Sequence, residues 1–113
     1  MYADRTGGNI AQQWVGAAKL KERMQRHAQG DFMGLPQPGA RDVMYTLAFV
    51  LAFDVLKRAE SEAADRQLPP FAQFRDMTDR RDFVAHDGVI HSSADSLNWI
   101  DEIENQLRAW KMI

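Results

Sequence analysis

Apolar residues recur along the chain with a helical period, and polar ones fill the positions between them. From Asn9 to about Gln29, Ile10, Trp14, Ala17, Met24 and Ala28 follow the helical repeat, whereas Lys19, Glu22, Arg23 and Arg26 fall largely elsewhere. Asn9 suits the N-cap of this first helix and Gly30 its C′ position. The stretch from Gly30 to Gly39, rich in glycine and proline, reads as a loop. A second helix is expected from near Pro38 to about Asp65. Its first half, Val43 to Phe53, is apolar on almost every face, so it must be a central helix, a subunit interface, or both. From Lys57 onward it turns charged. Leu68-Pro69-Pro70 then breaks the chain, and a third helix is expected from about Phe71 to Asp87, closed by Gly88. Ser92 and Asp95 fit a capping box for a fourth helix. Leu97, Ile100, Ile103, Leu107 and Trp110 form the apolar stripe of that helix, with Arg108 and Lys111 at its C-terminal end, where the helix dipole favours cations. No strand and no repeat can be read. The expected fold is all-α, an antiparallel up-and-down bundle of four principal helices, with residues 1–113 forming a single domain.

Composition narrows the function. A net charge of −2 excludes the wholesale cationic character of a histone-like chain, and the lack of cysteine excludes disulfides, zinc-thiolate centres and thiol nucleophiles. No apolar run approaches the ~18 residues that span a bilayer. The longest is interrupted by Thr46 and stops at Asp54. Asp4 and Arg5 ahead of Gly7-Gly8 do not read as a signal peptide, so a cytoplasmic protein without a membrane partner is expected. Charge is uneven: residues 1–41 carry +3 and the remainder −5. A basic first segment on an acidic body could touch nucleic acid, although a solvated helix face explains it as well.

The third helix carries the unusual residues. Phe74, Met77, Val84 and Ala85 form its apolar side, and Arg81 lies in the middle of that stripe. A guanidinium cannot shed its charge, so an inward Arg must pair with an acid, reach a cleft or meet a second subunit. His86 sits five residues later, about 140° around a regular helix, near the helix end. The free carbonyls there, with Asp82 and Asp87, favour an imidazolium, and a histidine so placed can serve general acid–base chemistry or simply cap the helix.

The segment Arg81-Asp82-Phe83-Val84-Ala85-His86 resembles the Arg-x4-His motif of the HEPN superfamily (higher eukaryotes and prokaryotes nucleotide-binding domains), including the polar residue that follows the arginine. The placement resembles that family too: near the end of the third long helix of an all-α bundle of this size, before a helix-ending glycine. The resemblance covers the whole chain in architecture and six residues in detail. It implies a homodimer whose motifs meet across a two-fold cleft, and a metal-independent, cofactor-free endoribonuclease of the toxin or defence kind acting on RNA. His86 would be the base acting on a ribose 2′-hydroxyl, Arg81 the stabiliser of the phosphoryl oxygens, and Asp82 the orienting residue. A cognate antitoxin such as a minimal nucleotidyltransferase is among the partners it implies. Many such domains have lost catalysis and serve as binding modules.

Other readings compete. In a non-catalytic interaction module, Arg81 would pair inside the bundle with Asp54 or Glu104. Asp79, Asp82 and His86 share one helix face and would suit a carboxylate–histidine metal site, though a bundle site needs ligands from facing helices and none repeats an acid-x-x-His spacing. His86-Asp87 and His91 also suggest a metal cluster, while His27 reads as a helix-end residue. The loop Gly34 to Gly39 lacks a phosphate-cradling pattern. Ser92 and Ser93 are better explained by capping than by catalysis, and Trp14, Trp99 and Trp110 by packing than by base stacking.

Overall fold

The computed structural model describes residues 9–28 and 38–113. Four helices follow in order: α1 (Asn9–Ala28), α2 (Pro38–Asp65), α3 (Phe74–Asp87) and α4 (Ser93–Ala109), with no strand among the described residues. The fold is the all-α antiparallel bundle that the apolar periodicity predicts. Pro38 opens α2, where its missing N–H and fixed φ suit a first helical position. The loop expected from Gly30, that glycine itself, and the side chains of Met24, His27 and Ala28 lie outside the described residues. Among the described residues no helix is long and apolar enough to cross a membrane.

The greasy half of α2 determines the architecture. This helix packs against each of the other three and most extensively along α4. Phe49, Phe53 and Leu56 fill the centre, and Ala48, Ala52, Ala59 and Ala63 are buried beside them. Alanines at these spacings let the neighbouring backbones come close, while the aromatic rings fill the remaining space. Phe49 meets Trp99 of α4 at 5.2 Å between ring centroids, and Phe53 stacks on Phe74 of α3 at 5.8 Å. From α1, Ile10, Trp14 and Ala17 complete the core. The Trp14 Nε1–H donates to Glu104 Oε2 at 3.1 Å, which ties α1 to α4. At one end of the bundle the Ser93 N–H donates to the Asp42 carboxylate at 2.8 Å, and at the other the Trp110 Nε1–H donates to the Pro69 carbonyl at 2.8 Å. These two bonds show α4 running parallel to α2, as an up-and-down order requires.

One helix end differs from the sequence expectation, for a local reason. The third helix starts at Phe74 rather than near Phe71. After the two prolines, Phe71 drops its ring into the core and its N–H approaches Glu60 Oε2 at 3.4 Å, while its carbonyl accepts the Phe74 N–H at 3.1 Å in a turn. Burial of that ring outweighs three more helical residues. The ends of α2 and α4 close without glycine: Gln67 and Lys111 take φ values of 59° and 60°. In each case the following residue, Leu68 or Met112, returns toward the core while its N–H bonds five residues back, to Ala63 or Leu107.

The fourth helix begins as its sequence suggests, with the Ser92 hydroxyl accepting the Asp95 N–H at 3.1 Å. Its buried face is Ser96, Ile100, Ile103, Leu107 and Trp110, with Leu97 only half-buried. A serine therefore takes the first core position of the stripe, and its hydroxyl has no hydrogen-bond partner. An unmet buried hydroxyl opposes folding, so Ser96→Ala is expected to stabilise the protein by about 0.5–1 kcal/mol, read as a higher midpoint in urea. Leu56→Ala is expected to cost ~2–5 kcal/mol in the same titration. A lower midpoint for Ser96→Ala would mean that the hydroxyl has a partner after all.

Candidate functional site

On α3, residue spacing sends neighbouring arginines to different sides. Met77 is fully buried and anchors the helix, with Phe74 and Val84 half-buried beside it, while Ala85 is exposed. Arg81 shares that inner side, and its guanidinium carbon lies 5.4 Å from the centroid of the Phe53 ring of α2. The side chain is 24% exposed, and its Nη1 stands 3.5 Å from Asp82 Oδ1. The inner part of the guanidinium is less well served: Nε is buried with no hydrogen-bond partner. Neither acid considered for an internal pair takes this role. Asp54 is exposed on α2, and Glu104 is engaged by Trp14 and, at 3.9 Å, by Arg108 Nη2. Arg81 is thus a cation lying on an aromatic ring, with a flanking surface carboxylate and one unsatisfied donor.

His86 is exposed in the last turn of α3, away from the side that meets α2. Gly88 ends the helix with φ 67° and ψ 22°, and its N–H points to the carbonyls of both Phe83 and Val84. The Val89 N–H reaches Phe83 O at 3.1 Å. Bonds spanning five and six residues make this turn wider than an α-turn, so His86 sits in a loosened helix end. The structure therefore brings Arg81 and Asp82 together and leaves His86 on a different side of the same helix. Concavities line the outer face of α2 and the α1–α2 and α1–α4 grooves, and Arg81, Asp82 and His86 border none of these three.

Periodicity did not reveal the residues that hold this end of α3 in place. His91, in the α3–α4 connection, donates its N–H to Thr46 Oγ1 at 3.0 Å, and the Thr46 hydroxyl lies 3.2 Å from the His91 carbonyl, to which it donates. The His91 Nε2 is 3.2 Å from Arg80 O. A carbonyl only accepts, so that nitrogen carries the proton. The His91 ring stands edge-on to Trp99 at 4.7 Å and to Phe49 at 6.3 Å. Arg80 lies over the same Trp99 ring at 4.5 Å and donates to Met77 Sδ at 3.7 Å. The available signal was Thr46, the one polar residue inside the apolar run of α2, which is 0% exposed. His91 is a packing residue here. Among the described residues no group of three or more His, Cys, Asp or Glu is gathered closely enough to hold a metal ion.

No family model matches the chain, and no curated protein or solved structure matches it. Because a Cβ built on Gly88 would meet nothing within 4 Å, the glycine is required by conformation alone. Gly88→Ala is expected to cost about 1 kcal/mol by thermal or urea unfolding, and Gly88→Asn less. An alanine variant as stable as the parent would show that the turn is not held in the left-handed conformation.

Proposed function

We propose that this protein is a HEPN-like, metal-independent endoribonuclease that cleaves RNA at a composite site formed by Arg81 and His86 of two copies. The observation that carries the reading is Arg81, inward-facing, charged and short of a partner at its buried Nε. A guanidinium held on a ring with free donors at its edge suits a phosphodiester, whose oxygens accept several N–H bonds at once. His86, exposed on another side of α3, serves as the general base that removes the proton from a ribose 2′-hydroxyl. The freed oxygen attacks the adjacent phosphorus and the 5′-oxygen of the next nucleotide leaves, giving a 2′,3′-cyclic phosphate. Arg81 neutralises the charge that builds on the phosphoryl oxygens. Asp82, 3.5 Å from Arg81, orients the guanidinium. Because one chain sends Arg81 and His86 to different sides, the His86 that faces a given Arg81 comes from a second copy.

A homodimer also has a physical basis in α2. Val43, Leu47 and Leu51, at successive four-residue steps, are 38%, 54% and 48% exposed, an apolar ridge left open by the bundle. Leu47→Glu with Leu51→Glu is expected to give a monomer in sedimentation velocity while leaving the helical circular dichroism unchanged. An unaltered sedimentation coefficient would exclude this ridge as the interface.

The same ridge favours a second reading, a non-catalytic interaction module. RNA incubated with pure protein in EDTA separates the two. Cleavage is expected with the parent, with a fall of at least ~100-fold for His86→Ala and for Arg81→Ala. Equal RNA loss in parent and variants would expose a contaminating nuclease, and no loss from any would leave the interaction module standing. A cognate antitoxin, such as a minimal nucleotidyltransferase, and a cytoplasmic setting belong to the nuclease reading.

A further inference from the structure

The seam between α3 and α4 presents a surface quite unlike the Arg81 side. On α3, Asp76, Arg80, Phe83 and Asp87 fall at i, i+4, i+7 and i+11 and so share one ridge. On α4, Asp95, Trp99 and Glu102 do the same. The contact of Arg80 with the Trp99 ring at 4.5 Å joins the two ridges at that point. Phe83 is 50% exposed on this surface, and Val89 and Ile90, in the connection at its end, are 37% and 47% exposed. Around this apolar strip stand the exposed carboxylates of Asp76, Asp87, Asp95 and Glu102. Asp82 is the one acid of α3 in an ion pair among the described residues. The cation inside the seam, Arg80, is already committed to Trp99 and Met77.

We infer that the α3–α4 seam is a docking surface for a basic, amphipathic segment of a partner protein, which seats an apolar side chain against Phe83 and its cations against the flanking acids. Charge complementarity chooses the occupant. A nucleic acid strand would bring phosphates to a rim of four carboxylates, whereas lysines and arginines gain from it. An exposed aromatic ring inside a ring of charge is the form of an interface anchor. The ridge from Asp76 to Asp87 is about 16 Å long, enough for three turns of a bound helix. The inference stands apart from the nuclease reading, because binding needs neither Arg81 nor catalysis.

The test uses an 18-residue fluorescent helical peptide of leucine and lysine, its leucine–glutamate counterpart and a single-stranded oligouridylate, each titrated by anisotropy into the full chain. The lysine peptide is expected to bind, the glutamate peptide to bind at least tenfold more weakly, and any RNA binding to be unaltered by Phe83→Ser. Phe83→Ser and the double variant Asp76→Asn, Glu102→Gln should each weaken lysine-peptide binding by tenfold or more. Val15→Ser, at an exposed position of α1, should leave it unchanged. Amide NMR shifts on binding should cluster at residues 76–90 and 95–102. Equal binding by Phe83→Ser, equal loss with Val15→Ser, or Phe83-dependent binding of the RNA instead of the peptide would each overturn the inference.

Discussion

Burial of the first half of α2 is the constraint on which the rest of the structure depends. A helix apolar on nearly every face needs partners around most of its circumference, and the described residues offer it three other helices. They enclose Phe49, Phe53 and Leu56 completely. The fraction they cannot enclose is the open ridge of Val43, Leu47 and Leu51. The central position of α2 and the exposed apolar ridge along it are thus two results of one composition.

Arg81 shows how that core shapes chemistry. Its place on the inner side of α3 is dictated by spacing, but what it meets there is the Phe53 ring of α2 rather than a carboxylate from a facing helix. A quadrupole attracts a guanidinium without consuming its hydrogen-bond donors, so the ring holds the side chain and leaves those donors to other groups. Arg80, one position earlier, is turned toward α4 and lies over the Trp99 ring. Adjacent arginines on one helix thus have different capacities for a ligand. Around them the Thr46–His91 pair fixes the connection after α3 against α2, with two hydrogen bonds made by one buried hydroxyl.

Much of this was legible from residue types. The α2 boundaries, the glycine that ends α3, the Ser92 cap and the inward Arg81 all follow from local rules. The core stripe of α4 differs at one residue from the one its periodicity predicts. Leu97 looks like its first member, yet the register set by Ile100, Ile103 and Leu107 buries Ser96 instead. The start of α3 was misplaced because helical propensity at Phe71 to Gln73 competes with burial of the Phe71 ring, and only the surrounding helices supply the site for that ring. Gln67 and Lys111 in left-handed turns have no residue signal at all, since packing of the next side chain, and not backbone preference, selects that conformation.

Sequence alone determined that the chain is helical, where its helices lie and which residues could carry chemistry, because period, caps and breakers act within a few residues. Tertiary structure decided what those residues touch: that Arg81 lies on Phe53, that His86 stands apart from it, that His91 is spent on Thr46 and Arg80, and that Phe83 is left outside among acids. Such outcomes depend on which helix faces are brought together, and contacts between residues far apart in the chain leave no periodic trace in it.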